Sequence, residues 1–353
     1  MNILITGGAG FAGSNLAIKL KENYPAYAIT ALDNLKRRGS ELNLSRLRES
    51  GILFQHGDIR CKEDLHFDSS FDLIIDASAE PSVLAGITSP IEQVVNNNLL
   101  GTINCLELAR RDKAGFIFLS TSRVYPISPL EQANFIETDT RFEWTDQQTL
   151  SGISSKGISE AFPLNGSRSF YGATKLASEL MIHEYRELAG VKAVINRCGV
   201  LTGPWQMGKV DQGVIVLWIA RHIFKSKLGY FGYGGTGKQV RDILHIDDLY
   251  CLVDWQIHNL DVINGEVFNA GGGLETSISL QELTGLCQEI TGNKIVINSV
   301  PENRAADLRI YLTDNSYVTA KTGWTPQIST RQIVTDIADW IKNNESELRP
   351  ILN

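Results

Sequence analysis

The chain has 353 residues, enough for two domains of ordinary size and for a substantial buried core. It carries 40 acidic and 33 basic side chains, a formal net charge of -7, and it has no block of Lys and Arg typical of nucleic-acid binders. With 43% hydrophobic and 21% charged residues, the composition excludes a disordered chain.

The lengths of the apolar runs and the spacing of the cysteines predict in which cellular compartment the protein is found. The apolar stretch 214–220 has seven residues, far short of the roughly 20 that a membrane-spanning helix needs. Met1 and Asn2 lead directly into Ile3 without a basic leader, so we expect no signal peptide. The five cysteines include no CxxC pair, and no His, Cys or Asp spacing is typical of a metal site. We therefore expect a cytoplasmic protein with reduced thiols, no metal, and no membrane or nucleic-acid partner.

Short apolar runs alternate with segments of helical periodicity as far as Arg197, which is the pattern of an α/β fold. Runs dense in Ile, Val, Leu and Phe predict strands covered on both faces, at residues 2–6, 28–33, 52–56, 73–77, 116–120 and 192–197. Apolar positions at helical spacing predict helices over residues 14–23, 92–112 and 172–189. The sequence therefore predicts a Rossmann-type, doubly wound parallel sheet.

The alternation breaks after Arg197. Glycine-rich segments at 203–204, 229–237 and 271–273 punctuate the remaining chain and indicate a smaller unit built from shorter pieces. Residues 243–249 and 267–270 still have strand character, and we expect both to return to the main sheet. The two predicted domains are therefore discontinuous and comprise residues 1–198 with 241–272, and residues 199–240 with 273–353.

A glycine loop follows the first predicted strand and opens the first helix. Its sequence, TGGAGFAGS over residues 6–14, matches G-x-G-x-x-G through Gly8, Gly10 and Gly13, and G-x-x-G-x-x-G from Gly7. Glycine is required because side chains would block the approach of backbone N–H groups to a pyrophosphate at a helix N-terminus. An ordinary glycine-rich turn is the alternative. Asp33, 20 residues after Gly13, favours dinucleotide binding, because a carboxylate there can accept from an adenosine ribose.

Asp33 also predicts the choice of cofactor. A carboxylate at the end of the second strand repels a 2′-phosphate, which favours NAD over NADP. Arg37 and Arg38 follow and could pair with such a phosphate, but we interpret them as solvated loop charges because the acid occupies the strand end itself.

Tyr171 and Lys175 lie four residues apart, a spacing that places both on one face of a helix, and the pair opens the third predicted helix. That helix begins at the carboxyl edge of the strands, where ligands bind in this architecture. Residues 120–125, STSRVY, bring hydroxyl groups to the same edge. Free tyrosine has a pKa near about 10, so a tyrosinate at neutral pH needs nearby positive charge such as that of Lys175.

These motifs resemble the extended short-chain dehydrogenase/reductase family, which includes the sugar-nucleotide epimerases and dehydratases. The resemblance follows the chain in order, through residues 6–13, 33–35, 57–59, 98–102, Thr121, Tyr171, Lys175, Arg197, 203–204, 235–248 and 323–326. It implies that the first domain binds NAD, that the second binds a nucleotide-sugar substrate, and that the protein is a homodimer or homotetramer. Dimers of this family commonly form through the two long helices, here those predicted at 92–112 and 172–189.

The resemblance also implies residue roles. Tyr171 is implied to be the general base, with Lys175 favouring its ionisation and Thr121 holding the sugar oxygen. The residues implied to bind NAD are Gly7, Gly10, Phe11, Ala12, Gly13, Asp33, Asn34, Asp58, Ile59, Ala77, Ala79, Asn98, Tyr171 and Lys175. Those implied to bind the substrate are Ser122, Arg123, Gln206, Gln212, Arg241 and Arg309. The two last arginines would anchor a nucleotide diphosphate, with surface salt bridges as the alternative, and the two glutamines could instead lie in polar loops.

The residues after Thr121 indicate which of the family's reaction types this chain is expected to catalyse. Dehydratases of the family carry an Asp-Glu pair there, and decarboxylating members carry a Glu two positions on, whereas this chain has Ser122 and Arg123. Lack of that carboxylate favours epimerisation over elimination. Arg123 and the Asp-Gln-Gly triplet at 211–213 are similar to the 2-epimerases of CDP-3,6-dideoxyhexoses. A UDP-hexose 4-epimerase and a non-catalytic, dinucleotide-sensing protein of the same fold are the alternatives, and Val200 departs from the common family pattern.

Overall fold

The structure is a computed structural model that describes residues 1–87, 89–208 and 212–353. It divides into two compact units: unit 1 comprises residues 1–124, 169–197 and 249–268, and unit 2 comprises residues 125–168, 198–248 and 269–353. The strands are β1 Asn2–Thr6, β2 Ala28–Asp33, β3 Leu53–His56, β4 Leu73–Asp76, β5 Gly115–Thr121, β6 Phe135–Glu137, β7 Phe142–Trp144, β8 Ile153–Ser154, β9 Gly157–Ile158, β10 Ala193–Cys198, β11 Val200–Thr202, β12 Leu228–Phe231, β13 Val240–His245, β14 Val267–Ala270, β15 Ser277–Ser279, β16 Ile297–Val300 and β17 Ile310–Tyr311.

The α-helices vary from five to 20 residues in length. They are α1 Phe11–Asn23, α2 Asn43–Glu49, α3 Ile91–Val95, α4 Gly101–Asp112, α5 Ile127–Glu131, α6 Phe170–Ala189, α7 Val214–Ile223, α8 Ile246–His258, α9 Leu280–Thr291, α10 Ser316–Thr322, α11 Thr330–Asn343 and α12 Glu345–Leu352.

The main sheet has seven strands in the order β14-β10-β5-β4-β1-β2-β3. Strand β1 pairs in parallel with β2 on one side and with β4 on the other, and the pairs β2/β3 and β4/β5 are also parallel. The chain therefore reverses its direction of travel across the sheet between β1 and β4. In such sheets, ligands bind outside the carboxyl ends of the strands at this point. The predicted doubly wound, Rossmann-type sheet is confirmed.

Most of the strand predictions succeed because the strands are buried on both faces; β3, at the edge of the sheet, is only partly buried. Residues 2–6 and 28–33 coincide with β1 and β2, and the other four predicted strands differ from β3, β4, β5 and β10 by one residue at one or both ends. Leu4, Ile74 and Phe116 of the sheet pack in one core with Leu106 of α4 and Ile182 of α6. Continuous apolar runs of this kind are typical of strands between two helical layers.

The predicted helices are also present, with one internal change. Helix α1 begins three residues before the predicted 14–23, and α6 two residues before 172–189. The side chain of Ser169 accepts a hydrogen bond from Gly172 N and caps α6. The predicted helix 92–112 contains α3, a π-helical turn at Asn96–Leu100 and α4. Such π-turns occur frequently at functional sites.

Strand β13 departs from the sequence prediction. Residues 243–249 were predicted to join the main sheet, but this is wrong, because β13 pairs with β11, β15 and β17 in a four-stranded sheet and residues from Ile246 onward form α8. Strand β14 does join the main sheet, as predicted. Both segments are apolar and buried, and apolar density alone does not specify which sheet a strand enters.

The unit boundaries also differ from the predicted domains. Residues 125–168, 198, 241–248 and 269–272 belong to unit 2, whereas the sequence assigned them to the first domain. Residues 125–168 form two local antiparallel strand pairs, β6 with β7 and β8 with β9. It then attaches to unit 2, since Ile158 forms a parallel bridge with Thr313 and Phe142 N donates to Lys238 O.

The five cysteines are free thiols. Two of them, Cys61 and Cys251, are exposed. Among the described residues, no helix is both long enough and apolar enough to cross a bilayer.

Candidate active site

The glycine loop between β1 and α1 is packed too closely for side chains. Gly7 has φ +64°, and a Cβ atom there would lie 2.9 Å from Ala77 O. A Cβ atom on Gly13 would lie 2.2 Å from Gly7 O, so only glycine lets α1 begin this close to the loop. The amide of Gly10 donates to Gly7 O at 2.9 Å and closes the turn.

The first turn of α1 presents backbone donors beside this loop. The first hydrogen bond of the helical pattern, from an N–H group to the carbonyl four residues earlier, is donated by Ser14 N to Gly10 O at 3.0 Å. The preceding N–H groups, on Phe11, Ala12 and Gly13, are those that a helix N-terminus offers to an anion. The loop therefore fits the pyrophosphate of a dinucleotide.

Asp33 stands next to this loop at the end of β2. Its carboxylate accepts hydrogen bonds from Ala9 N at 3.1 Å and Leu35 N at 2.8 Å. Burial raises the pKa of Asp33, and these backbone donors act in the opposite direction. The acid therefore both holds the glycine loop and occupies the strand end at which an adenosine ribose binds in this architecture.

The segment after β3 brings together the residues predicted near the adenine. Asn34 Nδ2 donates to Asp58 Oδ2 at 3.0 Å. Arg60 donates to Asp58 through its backbone N at 3.0 Å and its Nε at 2.9 Å, and its guanidinium holds the pKa of Asp58 well below the usual range. Ile59 is buried against Gly101 of α4. Sequence reasoning missed Arg60, although a basic residue two positions after an acid is a visible signal.

Asn98, in the π-helical turn, connects three segments of unit 1. Its Oδ1 accepts from Glu80 N at 2.7 Å, and its Nδ2 donates to Glu80 O at 3.2 Å and to Thr174 Oγ1 at 3.3 Å. Thr174 Oγ1 donates in turn to Tyr171 O at 2.9 Å. Fully buried, Asn98 thus fixes the turn of α6 that carries Tyr171.

Tyr171 and Lys175 are both buried on α6. Tyr171 packs in a small cluster with Val94 and with Ala79, one of the residues predicted along the cofactor. Ala77 lies two residues earlier, where its N donates to Thr6 O. Lys175 is 1% exposed, and its ammonium lies 3.8 Å from the centroid of the Phe118 ring. A positive charge this deeply buried acts on its neighbours with little screening by water.

Thr121 ends β5 with a buried hydroxyl group. Its Oγ1 accepts from Arg123 N at 3.1 Å, which starts a 3₁₀ turn over Ser122–Val124. Because Oγ1 accepts this bond through a lone pair, the O–H of Thr121 can still donate a hydrogen bond. Ser122 is buried within the turn, and Arg123 is half-buried.

Glu179 is a buried charged residue that sequence reasoning missed. It follows Lys175 by one turn on the same face of α6, accepts a hydrogen bond from Ser120 Oγ, and pairs with Arg197 on β10. The signal was available, because Tyr171, Lys175 and Glu179 recur at intervals of four residues.

Unit 2 carries Arg241 on β13 and Arg309 immediately before β17. The pairing of β13 with β17 aligns Val240 with Ile310. Arg241 Nη2 donates to Asp307 Oδ1 at 2.9 Å. Arg309 lies over the ring of Phe135, with its guanidinium carbon 4.1 Å from the centroid, and its Nη1 is 3.7 Å from Glu131 Oε2. Each arginine therefore has a carboxylate partner.

The two predicted glutamines lie elsewhere in unit 2. Gln206 is buried and holds its own loop, with Nε2 donating to Leu201 O at 2.8 Å and Oε1 accepting from Thr202 Oγ1 at 3.1 Å. Thr202 pairs with His245, at the opposite end of β13 from Arg241. Gln212 precedes α7. Asp211, part of the Asp-Gln-Gly triplet, lies outside the described residues.

Comparisons with known proteins agree with this arrangement. The NAD dependent epimerase/dehydratase family matches residues 3–271. The chain is 32% identical to CDP-paratose 2-epimerase from Salmonella typhi, over 96% of this chain and 99% of that protein. It is 29% identical to a putative UDP-glucose 4-epimerase from Methanocaldococcus jannaschii, over 97% and 99%. Among solved structures, UDP-glucuronic acid 4-epimerase from Bacillus cereus, in complex with UDP-glucuronic acid and NAD, superposes with a TM-score of 0.79 at 25% identity, over 97% and 99%.

The family match includes the glycine loop, Thr121, Tyr171 and Lys175. It confirms the resemblance found in the sequence, and with it NAD as the cofactor, which the glycine loop fits. The chain belongs to the NAD dependent epimerase/dehydratase family and is an NAD-dependent epimerase.

Proposed function

We propose that this enzyme inverts C2 of a CDP-3,6-dideoxyhexose and so interconverts CDP-paratose and CDP-tyvelose. The observation that carries this proposal is the similarity to CDP-paratose 2-epimerase over 96% of the chain. The residues beside Thr121 support it. Ser122 and Arg123 supply no carboxylate to act as the additional acid or base that elimination needs.

In the proposed reaction, the glycine loop, Asp33 and the adenine-side residues would hold NAD, which would supply reversible hydride transfer with the sugar carbon. Tyr171 Oη takes the proton from the hydroxyl group on that carbon and gives it back in the return step. The buried charge of Lys175 favours the tyrosinate form that this needs. The Thr121 O–H donates to the same sugar oxygen, on which charge changes during the reaction.

The residues around Tyr171 contribute to the proposed reaction by holding Tyr171 in place. Asn98, through Thr174, holds the turn of α6 on which Tyr171 stands. Small errors in such placement are costly, because proton transfer needs the two oxygens within hydrogen-bond reach. We assign to NAD binding the glycine-loop residues, Asp33 and the adenine-side residues described above.

We propose that Arg241 and Arg309 bind the substrate diphosphate. Guanidinium groups suit this role because they donate two parallel hydrogen bonds to phosphate oxygens. Their charges are balanced by Asp307 and Glu131. Substrate binding therefore requires the arginines to exchange carboxylate for phosphate partners. We assign Ser122, Arg123 and Gln212 to the sugar and the base, but not Gln206, because both ends of its amide form hydrogen bonds within its own loop.

A UDP-hexose 4-epimerase is the second candidate. It is favoured by the similarity to the Methanocaldococcus jannaschii protein and to the Bacillus cereus enzyme. Both candidate reactions would use Thr121, Tyr171 and Lys175, so the catalytic residues do not distinguish them. The difference lies in which sugar carbon faces the cofactor.

We further propose that the protein forms a homodimer or homotetramer through α4 and α6. Leu180 and Leu188 on α6 are 61% and 82% exposed, and apolar groups on one helix are stabilised when a second chain covers them. A Leu180→Glu, Leu188→Glu variant should shift the mass measured by light scattering toward the monomer. An unchanged mass would contradict the proposed interface.

A substrate panel tests the function. The purified protein is denatured to identify the released nicotinamide cofactor, and native protein is incubated with CDP-, UDP-, GDP- and dTDP-sugars. We expect NAD in the supernatant and turnover of the CDP-dideoxyhexose. Turnover confined to a UDP-hexose would contradict the proposal and support the second candidate.

A further inference from the structure

A group of three side chains outside the glycine loop holds two of the loop's carbonyl groups, those of Ala9 and Phe11, by hydrogen bonds. Asn43 of α2 is buried and donates from Nδ2 to Ala9 O at 2.8 Å. Asn15 of α1 is buried and donates from Nδ2 to Phe11 O at 2.9 Å. Arg46 of α2 joins them, with Nη1 donating to Asn43 Oδ1 at 2.7 Å and Nη2 to Asn15 Oδ1 at 3.1 Å. We call Asn15, Asn43 and Arg46 the loop bracket.

Arg46 sets the orientation of both amides in the loop bracket. A guanidinium group only donates hydrogen bonds, whereas an asparagine side chain has one donor end and one acceptor end. Because Arg46 donates to both Oδ1 atoms, both Nδ2 groups face the loop carbonyls. The planar fork of arginine allows one side chain to fix two amides, which the single ammonium of lysine reproduces poorly.

Fixing these carbonyls also fixes N–H directions in the loop. In a trans peptide, the C=O group and the following N–H group point in opposite directions. Holding Phe11 O toward Asn15 therefore directs the Ala12 N–H away from the loop bracket. Ala12 lies in the first turn of α1, where N–H groups are available to a pyrophosphate. On the other side of Gly10, Ala9 is held twice, by Asn43 at its C=O and by Asp33 at its N–H.

We propose that Arg46 is a positioning residue for the NAD pyrophosphate, acting through Asn15 and Asn43 to hold the glycine loop in its binding conformation before the cofactor arrives. Preorganisation of this kind raises affinity by lowering the ordering cost of binding. Burial lowers the pKa of Arg46 to about 10, so the guanidinium is still charged at neutral pH. The proposal depends on NAD as the cofactor and not on the identity of the sugar.

The test separates the pyrophosphate from the adenosine part of NAD. Displacement of radiolabelled NAD from the holoenzyme gives inhibition constants for ADP, which carries the diphosphate, and for adenosine, which lacks it. In Arg46→Met we expect binding of ADP and of NAD to weaken by about tenfold or more, because a charge-assisted network is lost. Binding of adenosine should stay within about twofold of the wild type.

Two further variants and one control complete the test. Arg46→Lys keeps the charge but not the fork, so it should recover only part of the lost ADP affinity. Asn43→Asp can still pair with Arg46, but it presents an acceptor to Ala9 O, so it should fold and bind ADP weakly. Arg48→Met, an exposed position on the same helix, should bind both ligands like the wild type.

Three outcomes would overturn the proposal. Equal losses for adenosine and ADP in Arg46→Met would mean that the whole nucleotide site had collapsed. Unchanged ADP affinity in both Arg46→Met and Asn43→Asp would mean that the loop holds itself. Full recovery of ADP affinity in Arg46→Lys would mean that the positive charge alone, and not the fork of the guanidinium group, supports ADP binding.

Discussion

Arg197 on β10 and Glu179 on α6 form a buried ion pair, with Arg197 Nη2 2.8 Å from Glu179 Oε2 and side chains that are 7% and 2% exposed. Glu179 stands one helical turn after Lys175, which stands one turn after Tyr171. An unbalanced carboxylate at this position would attract the ammonium of Lys175 away from the tyrosine. By neutralising Glu179, Arg197 reduces the attraction of Glu179 for the ammonium of Lys175, which we propose acts on Tyr171.

This ion pair predicts a non-additive effect on stability. Arg197→Met should lower the free energy of unfolding by about 3–5 kcal/mol, because it leaves a buried charge without its partner. The Glu179→Leu, Arg197→Met double variant should be more stable than Arg197→Met alone. Urea unfolding measures both, with Arg331→Met as the control, since its pair with Glu289 is exposed to solvent and should contribute little to stability. A double variant less stable than Arg197→Met would contradict this account.

Tyr171→Phe removes only the ionisable oxygen from α6. We expect turnover to fall by about 10²–10⁴-fold, the usual contribution of a general base, while NAD stays bound. Tyr185→Phe is the matched control, because Tyr185 is on the same helix but bonds to Glu107 of α4, and burial raises its pKa to about 12. Steady-state kinetics with cofactor quantification decides the matter. Near wild-type turnover in Tyr171→Phe would show that another group takes the proton.

Asp33→Gly should relax the preference for NAD over NADP. The substitution removes the charge that repels a 2′-phosphate and lets Arg37 or Arg38 approach it. It also removes the acceptor for Ala9 N, so affinity for NAD itself should fall. Asp33→Asn removes the charge but keeps one acceptor, and it should shift the preference with a smaller loss. Titration with both cofactors gives the ratio, and an unchanged ratio in Asp33→Gly would refute the assignment.

The pair of Asp58 and Arg60 predicts a pH dependence. Arg60 holds the pKa of Asp58 below its usual value of about 3.9. A carboxyl group with a lowered pKa in the folded state stabilises the fold above its unfolded pKa, and that stabilisation is lost as the pH falls. The difference in urea midpoint between wild type and Asp58→Asn should therefore be constant between about pH 7 and 5 and should shrink below about pH 4. A difference that grows on acidification would have the wrong sign.

The success of the sequence predictions depended on the kind of information each element carries. Strands such as β1 and β2 are continuous apolar runs flanked by glycine and charge, so their bounds were visible. The placement of β13 was not, because strand pairing is set by contacts distant in the chain. The strands of residues 125–168 are only two or three residues long, which is too short to give a periodic signal.

The candidate site shows the same division. Glycine spacing, the acid at the end of β2 and the interval between Tyr171 and Lys175 are local patterns, so the sequence contained them. The loop bracket was not predictable, because Asn15, Asn43 and Arg46 are ordinary polar residues until α1 and α2 pack together. Gln206 was assigned to the substrate by resemblance, and its hydrogen bonds within its own loop could not be read from the sequence.

The most direct test of the proposed function uses a CDP-3,6-dideoxyhexose deuterated at C2. A redox epimerase withdraws hydride from the carbon that it inverts and returns the same hydride, so nothing from that carbon reaches the solvent. We predict a primary isotope effect on epimerisation and retention of deuterium at C2 of the product. Loss of deuterium to water would indicate deprotonation beside a carbonyl group, and an isotope effect seen only with C4-deuterated substrate would contradict inversion at C2.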